Sequence, residues 1–500
     1  MAHTSDDHGR DAKRAAGVLL HPTSLPGHYG IGDLGDELTG FLDWAAGAGM
    51  HLWQVLPLNP PGYGNSPYNC VSSVGGNPAL ISPQRLLKEQ LLTPEDVGEV
   101  PNFPADHVDF ERVVPWKKNL LRAAFKRFEA QVPNDAFEKF QSDEAEWLND
   151  FALYMALTER QAGAPWWEWD PLLARRDGVA IKKVRRELRD EIRFQKFVQF
   201  IFFRQWAAVR DEAHGRGIRI MGDVPIYVAH DSADVWANRV LFQVDENGDP
   251  IVVAGVPPDY FSSTGQRWGN PIYRWDVLRD TGYRWWITRI RTNLRFADIL
   301  RLDHFRGFAA YWEVPGHEPT AMHGRWMPGP GLALFDAIRS ALGDLPLVAE
   351  DLGFITAEVH ELREKIGVAG MKILQFGFSS PDNPHLPHRF RQHTVVYTGT
   401  HDNDTARGWF ESAPESERDI ARTYLGDSAD ISWALIRAAY TSVAETAIVP
   451  VQDILSLGSE ARMNRPGAEK DNWSWRLLPG ALTRDHGERL RRLGEITGRI

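Results

Sequence analysis

The stretch Ala297-Asp298-Ile299-Leu300-Arg301-Leu302-Asp303-His304-Phe305-Arg306-Gly307 decides how the chain is read. A short apolar run ends in a burst of ionisable groups, the pattern of a buried parallel strand delivering side chains to one end of a barrel. With residues 299–303 extended, alternate side chains share a face: Arg301 and Asp303 point one way, Leu300 and Leu302 the other. A guanidinium beside a carboxylate favours the ionised form that a carboxylate nucleophile needs; the same pair equally well closes a strand as a structural ion pair.

Outward from this strand, strand-then-helix alternation runs in both directions, which argues for a parallel sheet with crossover helices. Extended segments are expected at 17–21, 52–58 and 218–223 upstream, and at 346–350, 372–378, 394–400 and 448–455 downstream. Amphipathic helices fit at 38–48, 195–214, 283–296, 332–342, 357–366, 431–443 and 482–493. About eight such units point to an α/β fold, a (β/α)8 barrel forming one catalytic domain over 15–500, behind a mobile polar tail at 1–14. Long excursions near 59–193 and 225–275 are expected to form largely helical subdomains at the C-terminal face of the barrel. An open doubly wound sheet is the alternative, but Pro22 to Pro26 places prolines where a phosphate-binding turn needs glycines.

Composition narrows the function. A net charge of −11 over 500 residues, with no basic stripe, gives no footprint for nucleic acid. No run is long enough to span a membrane, and the N-terminus lacks a basic stub followed by an apolar core. The single cysteine, Cys70, excludes an intrachain disulfide framework and suggests a reducing, cytoplasmic compartment. Nineteen tryptophans, several beside Tyr, Pro and Gly in expected loops, hint at flat surfaces for the C–H faces of sugars.

At the C-terminal ends of the strands stand Asp223, then Arg301, Asp303 and His304, then Glu350 and Asp351, then His401 and Asp402. Retaining glycoside chemistry needs two carboxyl groups about 5 to 5.5 Å apart, one attacking and one donating and then accepting a proton. Asp303 and Glu350, on neighbouring strands, meet that requirement, with Arg301 keeping Asp303 ionised and the apolar Val348-Ala349 context raising Glu350. A metal site is the rival for the same residues, but no metal-ligand spacing is present, and an arginine two residues from Asp303 disfavours a cation.

Asp303 within Arg-Leu-Asp-His-Phe-Arg-Gly-Phe, Glu350 within Ala-Glu-Asp-Leu-Gly and Asp402 within Thr-Gly-Thr-His-Asp-Asn-Asp-Thr resemble the amylomaltases, or disproportionating 4-α-glucanotransferases. The stretches 62–68 (Gly-Tyr-Gly-Asn-Ser-Pro-Tyr), 255–271 (Gly-Val-Pro-Pro-Asp-Tyr-Phe-Ser through Gly-Gln-Arg-Trp-Gly-Asn-Pro) and 460–476 (Glu-Ala-Arg-Met-Asn through Asn-Trp-Ser-Trp-Arg) resemble the same family. The resemblance implies Asp303 as nucleophile, Glu350 as acid-base and Asp402 as the residue holding the donor sugar. It further implies that Asp223, Arg301, His304 and His401 bind hydroxyls or orient the acids, and that Tyr68 stacks on a sugar. Gln266 and Trp268 would belong to a loop covering the cleft, together with Tyr260 and Phe261, and Asn472 would stand at the rim. The substrates implied are α-1,4-glucans, with no cofactor or metal. A hydrolase using the same acids and a non-catalytic glucan-binding barrel remain the alternatives.

Overall fold

Eight parallel strands follow one another around a ring: Ala15–Leu19, Leu52–Gln54, Arg219–Pro225, Ile299–Asp303, Leu347–Ala349, Gly370–Ile373, Thr394–Tyr397 and Thr446–Pro450. The computed structural model describes residues 14–131, 134–258, 262–468 and 470–500. The first strand pairs with the eighth (Ala15 opposite Thr446), and a parallel bridge between Val348 and Ala369 joins the fifth to the sixth, so the sheet closes into a barrel. The eight-stranded α/β reading is therefore right.

The fourth strand occupies the expected 299–303, and its register does what the alternation demands. Asp223 of the third strand lies opposite Arg301, and Ala349 of the fifth lies opposite Leu302. Leu300 and Leu302 pack into the apolar layer between strands and helices. The barrel interior is a separate cluster that includes Leu19, Leu52, Met221, Met371, Ile373, Tyr397 and Ile448. Asp223, Arg301 and Asp303 therefore stand on the face opposite Leu300 and Leu302, at one mouth of the barrel.

Several boundaries differ from expectation: the first, sixth and eighth strands begin earlier, at Ala15, Gly370 and Thr446, and the longest overshoots lie at C-terminal ends. The segment expected as strand at 372–378 stops at Ile373, and Leu374–Ser379 is a 3-10 turn; the segment expected at 448–455 stops at Pro450, and Val451–Ile454 is helical. A continuous apolar run has no period that separates a buried strand from a buried turn. Here the turn wins because Asp453, buried within it, accepts bonds from Thr398 Oγ1 and the Ala406 N–H, tying it to the neighbouring loop.

Between the second and third strands lie helices at Phe110–Glu129, Asp135–Asp143, Ala145–Arg160, Gly178–Glu187 and Arg189–His214, the helical insertion that was expected. Side chains of Asp109, Asn134 and Asp177 accept backbone N–H bonds at three of their starts, which is why each begins where it does. The long helix Arg189–His214 seats the insertion on the barrel: Gln199 donates to and accepts from the Gly76 backbone, and Gln205 does the same at Ser82. A Cβ at Gly76 would lie 1.9 Å from the Phe202 ring, so only glycine allows this approach.

The second excursion is not mainly helical. It holds a four-stranded antiparallel sheet ordered Gln266–Pro271, Val252–Val256, Ala310–Pro315, Arg325–Pro328, whose last two strands come from beyond the fourth barrel strand. Glycines and prolines inside those strands hid the pattern. Residues 1–13 of the expected tail, and Tyr260 and Phe261, lie outside the described residues. Among the described residues no helix is long and apolar enough to cross a membrane.

Candidate active site

Arg301 is the hub of the barrel mouth. Its side chain is 3 % exposed and forks between two carboxylates, Nη1 donating to Asp223 Oδ2 at 2.5 Å and Nη2 standing 3.0 Å from Asp303 Oδ1. Asp223, fully buried, also accepts from the Tyr68 hydroxyl at 2.7 Å, while its Oδ1 has no hydrogen-bond partner. Burial alone would discharge such an arginine, but Asp223 and Asp303 outweigh it and hold the guanidinium firmly protonated.

Glu350 is fixed by backbone. Its Oε2 accepts the His304 N–H at 2.7 Å and its Oε1 the Leu352 N–H at 3.0 Å. His304 offers that N–H because its own backbone is left-handed, with φ 53, a conformation unusual for a residue carrying a Cβ and typical of sites where geometry outranks local comfort. Its ring meets Trp268 edge-to-face at 4.7 Å and is kept neutral by burial, then by Arg306, which together pull its pKa down to about 3.

Burial pushes the carboxyls of both Asp303 and Glu350 above the ordinary carboxylate range, with Arg301 the largest opposing influence on each. Asp303 is further crowded by Asp223, Glu350 and Asp402. The expectation that Arg301 would simply keep Asp303 ionised is thus corrected: one guanidinium shared with Asp223 does not offset the loss of water and three negative neighbours. Both carboxyls therefore hold a proton more readily than ordinary carboxylates do.

The seventh-strand loop brings the third acid. Asp402 Oδ1 accepts from Asn464 Nδ2 at 2.6 Å and lies 3.4 Å from His401 Nε2, and Arg462 holds its backbone carbonyl at 2.7 Å. The His401 ring, driven neutral by burial, stacks on Tyr68 with centroids 4.9 Å apart, and both lean on Trp473. Asp351, also a candidate at a strand end, turns away instead: Oδ1 accepts the Met371 N–H at 2.7 Å, fastening the fifth strand to the sixth.

Trp268 and Gln266 stand on the outer strand of the antiparallel sheet, joined by an indole N–H to carboxamide bond of 3.1 Å. Asn472 does not reach the acids. Its carboxamide is used up bracing its own loop, accepting from the Arg465 N–H and donating to the Ala468 carbonyl, both at 2.8 Å. The residue of that loop that does reach an acid is Asn464, which sequence reasoning passed over although it stands in the quoted Glu-Ala-Arg-Met-Asn stretch. Trp473 was missed likewise; its left-handed backbone, φ 65, accompanies a ring buried in the barrel cluster.

Comparison with known proteins identifies the family. The family model described as 4-alpha-glucanotransferase matches residues 20–482. The chain is 49% identical to a 4-alpha-glucanotransferase of Thermus thermophilus over 97% of this chain and 99% of that one. It is 46% identical to a chloroplastic/amyloplastic 4-alpha-glucanotransferase of Solanum tuberosum, over 93% of this chain and 82% of that one. Among solved structures it is similar to the amylomaltase from Streptococcus agalactiae in complex with acarbose, with a TM-score of 0.95 and 37% identity, covering 97% of this chain and 100% of that one. The match runs through every strand of the barrel but the first, and through all three acids at its mouth: the chain belongs to the 4-α-glucanotransferase family.

Proposed function

We propose that the protein cuts an α-1,4-glucan, such as a maltooligosaccharide or starch-like chain, and passes the donor segment to the 4-hydroxyl of a glucose or glucan acceptor with the anomeric configuration retained. The observation that carries this reading is the pair Asp303 and Glu350, both raised by burial and both balanced against the one guanidinium of Arg301. A pair sharing one proton supplies in one site the ionised and the protonated carboxyl that double displacement needs.

In the first step an Asp303 oxygen bonds to the anomeric carbon as the glycosidic bond breaks, and the proton of Glu350 passes to the departing 4-oxygen. In the second, Glu350, now ionised, takes the proton of the acceptor 4-hydroxyl, whose oxygen bonds to the anomeric carbon while the Asp303 ester bond breaks. Each step balances with carboxyl groups alone, so neither metal nor cofactor enters. Asp402, braced by Asn464 but open to the cleft, holds donor hydroxyls and offsets the charge of the oxocarbenium-like transition state. Tyr68 offers an aromatic face, Asp223, Arg301, His304 and His401 orient the acids and the sugar, Gln266 and Trp268 cover the cleft, and Asn472 acts only by shaping the rim. Transfer over hydrolysis requires a sugar acceptor to be positioned and water to be disfavoured at the ester. Half-exposed Trp268 beside His304 suits that task. A reducing compartment such as the cytoplasm fits a chain whose lone cysteine is buried and pushed up to about 12.

Chromatography of products from maltotriose tests the reading. Glucose together with longer maltooligosaccharides, at constant total reducing ends, is the expected result. Rising reducing ends without longer products would mean hydrolysis, and an unchanged substrate with measurable binding would mean a binding protein.

A further inference from the structure

Next to the turns that hold Glu350 the surface carries aromatic groups that the reaction does not use. Phe354 follows Glu350 by four residues, past a left-handed Gly353 (φ 82), and is 74 % exposed. A phenyl ring that large in water is the informative exception on a folded surface. Trp326, on the edge strand Arg325–Pro328, is 38 % exposed and is held edge-to-face by Trp312 at 5.3 Å.

Between them lies Arg306. Its guanidinium sits 3.9 Å over the Trp326 ring and 5.9 Å from that of Phe354, and Nη1 donates to the Phe354 carbonyl at 2.5 Å. The side chain is buried, its Nε has no hydrogen-bond partner, and it stands in no ion pair among the described residues. Two residues before it, the His304 N–H holds Glu350; two residues before Phe354, the Leu352 N–H holds the other oxygen of the same carboxylate. The two aromatic rings and the cation between them are thus anchored by the same two turns that fix the acid-base.

We propose that Phe354, Arg306 and Trp326 form a glucan-binding platform that takes up α-1,4-linked glucose units beyond those at the bond being broken, and so favours long chains over short ones; this rests on the transfer reading above. Glucopyranose presents an apolar C–H face and a rim of hydroxyls. The rings receive the faces, and the buried guanidinium holds the two rings in place beneath the sugar. Cation–π contact holds the arginine between the rings before substrate arrives, so little ordering is left to oppose binding. Its position a few residues from Glu350 lets one extended chain span both the acids and the platform.

The test compares kcat/KM for maltoheptaose and for maltotriose in the wild type, Phe354→Ala and Trp326→Ala. The ratio of the two constants is expected to fall about fivefold to tenfold in each variant, the loss of one aromatic contact. Calorimetric titration of maltoheptaose into Asp303→Asn, with and without Phe354→Ala, reads the platform without turnover and is expected to show a matching loss of affinity. An unchanged ratio together with unchanged affinity would overturn the platform while leaving the transfer reading intact. Hydrolysis of maltotriose by the wild type would instead overturn the transfer reading, and the titration would then decide the platform alone.

Discussion

Two regions of the molecule combine aromatic rings with acids, and they are built on opposite terms. In the joint between the helical insertion and the third-strand loop the acid and the rings satisfy one another. Asp231 accepts from the Tyr154 hydroxyl at 2.7 Å and the Trp166 N–H at 3.4 Å, Trp166 Nε1 donates to the His230 carbonyl, and Trp167 lies flat on the His230 ring at 4.1 Å. At the barrel mouth Asp223 and Asp303 share one guanidinium, with Glu350 and Asp402 crowding Asp303; Asp223 keeps an oxygen without a partner, and His401 keeps a ring nitrogen without one. Satisfied polar groups stabilise a fold; unsatisfied charge held rigidly is a cost that the fold accepts where a substrate will complete the balance.

The widest separation between the two regions should come from Asp303→Ala. It removes the covalent step, so turnover of maltotriose should fall by about 10⁴-fold or more with the fold intact by circular dichroism. Wild-type rates would end its assignment as nucleophile. Arg301→Leu should injure both activity and stability, because it strands Asp223 and Asp303 without their counter-charge; a loss of about 3–5 kcal/mol is expected from denaturant titration. At the joint, Trp166→Ala should cost a similar ~3–5 kcal/mol through the cavity it leaves, yet kcat on maltotriose, measured well below the unfolding range, should be little changed. A large fall in kcat there would erase the contrast.

The smallest and sharpest effect is in pH. Because burial raises both carboxyls, the form carrying one proton on the pair lies above the usual carboxylate range. As pH falls through the pair both oxygens are protonated and the nucleophile is lost; as pH rises through it both are ionised and the acid is lost. The profile of kcat/KM should therefore be a bell displaced upward from ordinary carboxylates. Burial keeps His304 and His401 neutral, so neither limb of the bell should belong to a histidine, and His401→Asn should leave the positions of both limbs in place. A profile still rising through the alkaline range would contradict the assignment of Glu350.

Much of this was legible in the sequence, and the reasons it stopped are physical. The fourth strand was read to the residue because alternation of Leu and charged side chains fixes both its span and its faces, and the acids at strand ends followed from the barrel. The antiparallel sheet was not legible, since its two hairpins lie on either side of the fourth barrel strand in the chain and carry the Gly and Pro of a loop. Tryptophan misled in part: Trp53, Trp166, Trp206, Trp236 and Trp286 are core residues, and only Trp268 and Trp326 stand well exposed. The raised Asp303 was not legible either, because its cause is the sum of burial and three carboxylates from other strands, and none of these lies beside it in the chain.

The most direct measurement is intact-protein and peptide mass spectrometry of Glu350→Gln after incubation with an activated maltosyl donor whose leaving group needs no proton. Without the acid-base the ester should form and persist. The expected result is a maltosyl mass addition confined to the peptide that contains Asp303; an adduct on another residue, or none while the donor is consumed, would contradict the double displacement at Asp303.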